Sequence, residues 1–210
     1  VQAATKAGRA LARDFGEVEN LQVSMKGPGD FVTSADRKAE KILHEELARV
    51  RPGYGFLLEE SGAIEGTDKS NRWIVDPLDG TSNFLHGIPH FAISIAVQEP
   101  KLGGGGWDDV SAAVIYNPVT DETFWAEKSR GAWLHDGRLR VSARRGLSEA
   151  LVATGIPFQG HGNFSEWSKI FAAIGPQVAG IRRYGAASLD LAWLAAGRFD
   201  GFWESDLNDW

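Results

Sequence analysis

The chain has 210 residues, a net charge of −6 and a pI near 5.4, with 43% hydrophobic and 24% charged residues. That balance belongs to a globular chain of one large domain or two small ones and excludes disorder and a coiled coil. The acidic charge argues against a nucleic-acid module, no apolar run nears the ~18 residues a bilayer span needs, and zero cysteine removes disulfides, thiolate nucleophiles, zinc–cysteine sites and iron–sulfur clusters.

Glycine is over-represented at 25 residues without any Gly-X-Y period, which means many tight turns. The absence of cysteine and of a visible signal peptide makes a cytoplasmic location the expectation. The only methionine is Met25, so Val1 is not a natural start and the chain is expected to be trimmed.

Ala4, Ala7, Leu11, Phe15 and Val18 recur at helical spacing and predict an amphipathic helix over 1–18. A loop is expected over Ser24–Asp30. Thr33-Ser34-Ala35-Asp36 has the hydroxyl and acid of a capping box and predicts a helix start. Ala39, Ile42, Leu43, Leu47 and Val50 give that helix its buried face, and Arg51-Pro52-Gly53 ends it. Short strands follow at Gly55–Leu58 and Arg72–Val75, then at 91–98, 109–116, 123–127, 132–134 and 138–141. Turn signals at Asn117-Pro118 and His135-Asp136-Gly137 make this a mainly antiparallel meander. Gly103 to Gly106 reads as a plain turn within it.

Beyond residue 145 the rhythm alternates. Strands are expected at 151–156, 178–184 and 199–204. Helices are expected at 163–174, with Trp167, Ile170, Phe171 and Ile174 on one face, and at 188–196, apolar almost all round as in a helix buried between layers. The fold class is therefore α/β. An α+β half over 1–145 carries the acidic motifs, and an alternating α/β half covers 146–210.

The chemistry concentrates at Trp73-Ile74-Val75-Asp76-Pro77-Leu78-Asp79-Gly80-Thr81. An apolar strand ends in two acids three residues apart, which can share a hard cation. Backbone N–H groups at Gly80 and Thr81 would face an anion if a helix starts there. Asp-Pro-x-Asp-Gly is also good turn chemistry, so this motif alone leaves a solvated turn open. Glu59-Glu60-Ser61 ends another apolar strand and reads equally as a surface pair. Asp30–Asp36 reads as a helix cap, and 202–210 as aromatic core with an acidic edge. His86 and His90 have the spacing of a zinc pair, but Gly87 and Pro89 argue against the helix such a pair needs, leaving loop or core histidines.

Taken together and in this order, these elements resemble the inositol monophosphatase family of magnesium-dependent, lithium-sensitive phosphatases, in a bacterial-type form. Trp-Ile-Val-Asp-Pro-Leu-Asp-Gly-Thr-Ser-Asn-Phe at 73–84 matches its most specific signature. Glu59-Glu60-Ser61, Asp30–Asp36, Arg183–Ser188 and Gly201–Glu204 match further elements, so the resemblance spans nearly the whole chain. It implies a layered αβαβα sugar-phosphatase fold. It also implies that Glu60, Asp76 and the Leu78 carbonyl bind one metal, with Asp76 and Asp79 holding a second. Glu60 and Thr81 would orient and deprotonate a water, while Asp36 and Thr33 would support the metal site rather than bind it. Gly80 and Thr81 would hold phosphate, with Asp79, Ala187 and Glu204 on the sugar-alcohol side. Lys26 stands where the family has a lysine, and is otherwise a surface residue. Trp210 aligns with the tryptophan of a Trp-Asp pair whose aspartate is a further ligand, so the second metal is expected to bind weakly to this chain.

An all-oxygen donor set selects Mg²⁺, or Mn²⁺, over Zn²⁺. The implied activity is hydrolysis of myo-inositol monophosphate without a phosphoenzyme. Histidinol-phosphate or fructose-1,6-bisphosphate hydrolysis, or a protein-binding role, are the alternatives. The family analogy adds a homodimer, with neither nucleic acid nor membrane as partner.

Overall fold

The computed structural model describes residues 1–17, 23–27, 30–101, 106–158 and 162–210. Val18, Gly103, Gly104 and Gly105 lie outside the described residues, as do the side chains of Lys26 and Asp30.

Helix α1 (Gln2–Phe15) buries Ala4, Ala7 and Leu11, as their spacing predicts. The segment expected as a loop instead pairs as an antiparallel hairpin of β1 (Val23–Gly27) and β2 (Asp30–Thr33). No period-2 apolar pattern marks these strands, so turn-forming residues dominated the sequence signal. Helix α2 (Ser34–Val50) starts at the predicted cap. The Thr33 hydroxyl accepts from the Ala35 and Asp36 N–H groups, and Asp36 Oδ2 accepts from the Thr33 N–H at 2.9 Å.

Among the described residues, eight strands form the central sheet. In chain order they are β3 (Tyr54–Leu58), β4 (Gly62–Ile64), β5 (Asp68–Asp79), β6 (Ala92–Pro100), β7 (Trp107–Asn117), β8 (Glu122–Glu127), β9 (Gly131–Leu134) and β10 (Gly137–Arg138). Across the sheet the order is β10-β9-β8-β7-β6-β5-β3-β4. From β5 to β10 every pairing is antiparallel, as expected of a meander, whereas β3 runs parallel to β5. The short α3 (Thr81–Leu85) follows β5 directly.

A three-stranded parallel sheet, β12-β11-β13, completes the second half, from β11 (Leu151–Thr154), β12 (Gly180–Arg182) and β13 (Gly201–Trp203). It is accompanied by α4 (Phe164–Ile174) and α5 (Ala187–Ala195).

The layers follow from the packing. Ala4, Ala7 and Leu11 of α1 and Ala39, Leu43 and Leu47 of α2 bury one sheet face with Phe56, Leu58, Val75, Ile93 and Ile95. Leu189 and Ala192 of α5 cover the other face with Ala92 and Phe124. The small sheet lies beyond α5, and Trp167 of α4 stacks toward Trp203 and donates to Thr154 Oγ1 at 3.0 Å. This α-β-α-β-α order matches the expected layering. Two helices are less enclosed than their composition predicts: no residue of α4 is buried, and Leu191 of α5 is exposed.

Candidate active site

Two features bring the acids of the 73–84 motif to one place. First, β5 carries Asp76 to its C-terminal end, where Asp76 Oδ1 accepts from the Leu78 N–H at 2.8 Å. Second, Gly80 turns the chain out of the strand at φ +93°, in the left-handed region that a side chain disfavours. A Cβ there would also press to 3.1 Å from the His90 carbonyl. Asn83 then anchors α3 by donating to the His90 and Tyr184 carbonyls, both at 2.7 Å, which joins the two halves of the chain.

The position of β3 corrects one expectation. Leu58 registers with Val75, and both are buried on the face that α1 and α2 cover. Side chains alternate along a strand, so Glu59 and Asp76 share the opposite face. The Glu59 N–H donates to the Val75 carbonyl at 3.1 Å, which continues the ladder to this point. Glu59 therefore lines the cleft with Asp76 and Asp79. Glu60, the residue expected there, turns to the α2 side, into a separate cavity with Arg37, Glu40 and His44.

The cleft has a volume of about 300 Å³ and is bounded further by Gly155, Ala187, Ser188, Glu204 and Trp210. A contiguous cavity adds Gly80, Thr81, Arg183 and Asp190. Of the expected residues, Asp76, Asp79, Gly80, Thr81, Ala187 and Glu204 thus converge. Asp36 reaches the same place from α2: its Oδ1 is 3.2 Å from Thr81 Oγ1, which is also 3.1 Å from the Leu78 carbonyl. Gly155 and Asp190 were not singled out from the sequence. A Cβ on Gly155 would overlap the Glu204 carboxyl, so the glycine makes room for it.

Crowding and partial dehydration make several of these acids harder to ionise. Burial pushes Asp76 well above the usual carboxylate range, and the charges of Glu59 and Asp79 add to this. Burial raises Asp79 too, against the opposing effect of Ser188, whose N–H and hydroxyl donate to Asp79 Oδ2 at 2.7 and 2.5 Å. Asp36 is raised, first by burial. Glu204 is exposed along much of its length, but desolvation of its carboxyl and then the Asp79 charge push it up to about 7.

This chemistry fits a hard divalent cation. Every side-chain donor is oxygen, and Glu59, Asp76 and Asp79 crowd one cleft where positive charge would relieve their repulsion. Among the described residues no three carboxylates close on one point, because Asp79 is turned toward the start of α5.

A layered α/β architecture with an acidic cleft at the end of its signature strand defines a cation-assisted phosphoryl-transfer class. The profile of the inositol monophosphatase family matches residues 1–210, and the chain belongs to that family. It is 59% identical over 210 residues to a protein of Rhizobium meliloti named inositol-1-monophosphatase, spanning all of this chain and 76% of that protein. It is 43% identical over 214 residues to the Nus factor SuhB of Pseudomonas aeruginosa, again covering all of this chain and 76% of the relative. Among solved structures, the extragenic suppressor protein suhB of Bartonella henselae superposes with a TM-score of 0.92 at 55% identity, over all of this chain and 78% of that one.

Proposed function

We propose that the protein is a Mg²⁺-dependent phosphomonoesterase acting on myo-inositol monophosphate. The observation that carries this reading is the meeting of Glu59, Asp76 and Asp79 with the Thr81–Asp36 pair in one cleft. The relatives named inositol-1-monophosphatase, at 54–59% identity, support the substrate.

Glu59, Asp76 and Asp79, with the Leu78 carbonyl nearby, are the residues that would hold Mg²⁺, and Mn²⁺ meets the same donors. When bound, such a cation supplies charge neutralisation and polarises the phosphoryl oxygens. The protein's own groups do the rest. Thr81 Oγ1 accepts a hydrogen bond from the attacking water while Asp36, fixed by the α2 cap, orients the hydroxyl. Burial raises the Asp36 pKa above the ordinary carboxylate value, which makes it a better acceptor for the water's proton. The Gly80 and Thr81 N–H groups hold phosphate oxygens. Glu204, ionised, accepts from the alcohol hydroxyls, and Asp79 and Ala187 complete that wall. The water attacks phosphorus in line and gives up its proton through Thr81 Oγ1 to Asp36, the P–O bond to the alcohol breaks, and the leaving alkoxide takes a proton from solvent. Glu60 has no part in this scheme.

Release of phosphate from inositol 1-phosphate with Mg²⁺, set beside histidinol phosphate and fructose 1,6-bisphosphate, tests the reading. The expected result is turnover highest on inositol 1-phosphate. Turnover on none of the three would overturn it. A second reading, a protein-binding role, draws on the relatives named Nus factor SuhB. It predicts that the acids of the cleft are dispensable for binding the partner. The homodimer of the family analogy belongs to either reading and is checked by sedimentation.

A further inference from the structure

Glu40 is a buried carboxylate that the reaction above leaves without a task. It is 4% exposed, on α2. It accepts from the Glu60 N–H at 2.8 Å and from the Ser61 hydroxyl. Its contacts are therefore with the two residues that directly follow Glu59.

We propose that Glu40 is a positioning residue for the cation site, fixing the Glu59 carboxylate by anchoring the chain behind it. On its other side Glu59 is held by its own N–H to the Val75 carbonyl at 3.1 Å. The strand pairing of β3 ends at Leu58, and Glu40 holds the chain directly beyond Glu59. Glu40 follows Asp36 by four residues, which places both on one face of α2. Asp36 reaches Thr81, and Glu40 reaches Glu60 and Ser61. One helix face thereby sets two walls of the cleft. The charge of Glu40 has local compensation, since Arg37 and Lys41 line the cavity it shares with Glu60.

The proposal rests on the phosphatase reading, and its test separates the two. A carboxamide preserves the geometry, because its oxygen accepts from Glu60 N–H and its amino group donates to Ser61 Oγ. Mn²⁺ binding to the whole chain, followed by electron paramagnetic resonance, is compared among wild type, Glu40→Ala, Glu40→Gln and Ser61→Ala. Thermal unfolding without the cation is run alongside.

Glu40→Ala is expected to weaken Mn²⁺ binding by about tenfold, the cost typical of losing a group that orients a ligand. Glu40→Gln should bind as wild type does, and Ser61→Ala should fall between. Activity lost at low Mn²⁺ should return at saturation. A folded Glu40→Ala protein with wild-type Mn²⁺ affinity overturns the proposal, and so does equal weakening in Glu40→Gln. If Glu40→Ala does not fold, unchanged binding by Ser61→Ala, an exposed position, overturns it instead. Wild type that binds no Mn²⁺ overturns the phosphatase reading itself.

Discussion

Adjacent glutamates at the end of β3 have opposite fates, and the difference is one of parity. Phe56 and Leu58 are buried against α1 and α2, so Glu60 follows them and Glu59 does not. The alternation was present in the sequence, because the apolar residues that mark the buried face can be counted forward by twos. Composition and motif resemblance weigh both acids alike, and only the pleat separates them. Glu59→Gln should weaken Mg²⁺ binding by more than about tenfold, while Glu60→Gln should leave it near normal. Isothermal titration reads both, and equal losses would show that the cleft is misassigned. Gly155 was not legible at all, since a glycine just after a strand carries no chemical signal until Glu204 is seen over it. Gly155→Ala should displace that carboxyl and raise KM for inositol 1-phosphate with little change in kcat at saturation. The opposite pattern, kcat lost at constant KM, would place Glu204 with the reacting atoms.

At the level of elements, α2 and the turn from β5 into α3 carry most of the site. The helix was legible because its cap is local: Thr33 and Asp36 satisfy each other's backbone within four residues. What the sequence did not show is that Asp36 is shared between that cap and Thr81, a partner 45 residues away. Non-local sharing of this kind leaves no periodic trace, and for the same reason the parallel pairing of β3 with β5 was not foreseen. The turn was legible from Asp79-Gly80, because only glycine adopts φ +93° without strain. Gly80→Ala should therefore cost about 1–3 kcal/mol of stability, from the left-handed backbone and the close His90 carbonyl. Urea unfolding checks it. A change within error would mean that the turn relaxes, and α3 with it.

Across the whole molecule, the layers bury a set of acids that the unfolded chain would leave in water, and this makes stability depend on pH in a particular direction. Asp36, Asp76 and Asp79 all have pKa values raised above the ordinary 3.8, and Glu204 is raised to about 7. Within the window between the unfolded and folded values, the native chain binds protons that the unfolded chain has released. Stability without cation must then fall as pH rises through that window, from near 4 up to about 7 for Glu204. The paired surface acids work the other way: Glu46, Glu122 and Asp200 are lowered by Lys6, Arg198, and Ser142 with Arg144, and their contribution is complete above the ordinary carboxylate values. Between pH 5 and 8 the cleft acids therefore decide the sign. A divalent cation binds the ionised form, so its stabilising effect grows over the same interval. Thermal unfolding should show the midpoint without cation declining from pH 5 to 8, and the Mg²⁺-induced increase in the midpoint becoming larger. A midpoint that rises over this range, together with a Mg²⁺ effect independent of pH, would mean that the buried acids are already ionised and that something other than a cation balances them.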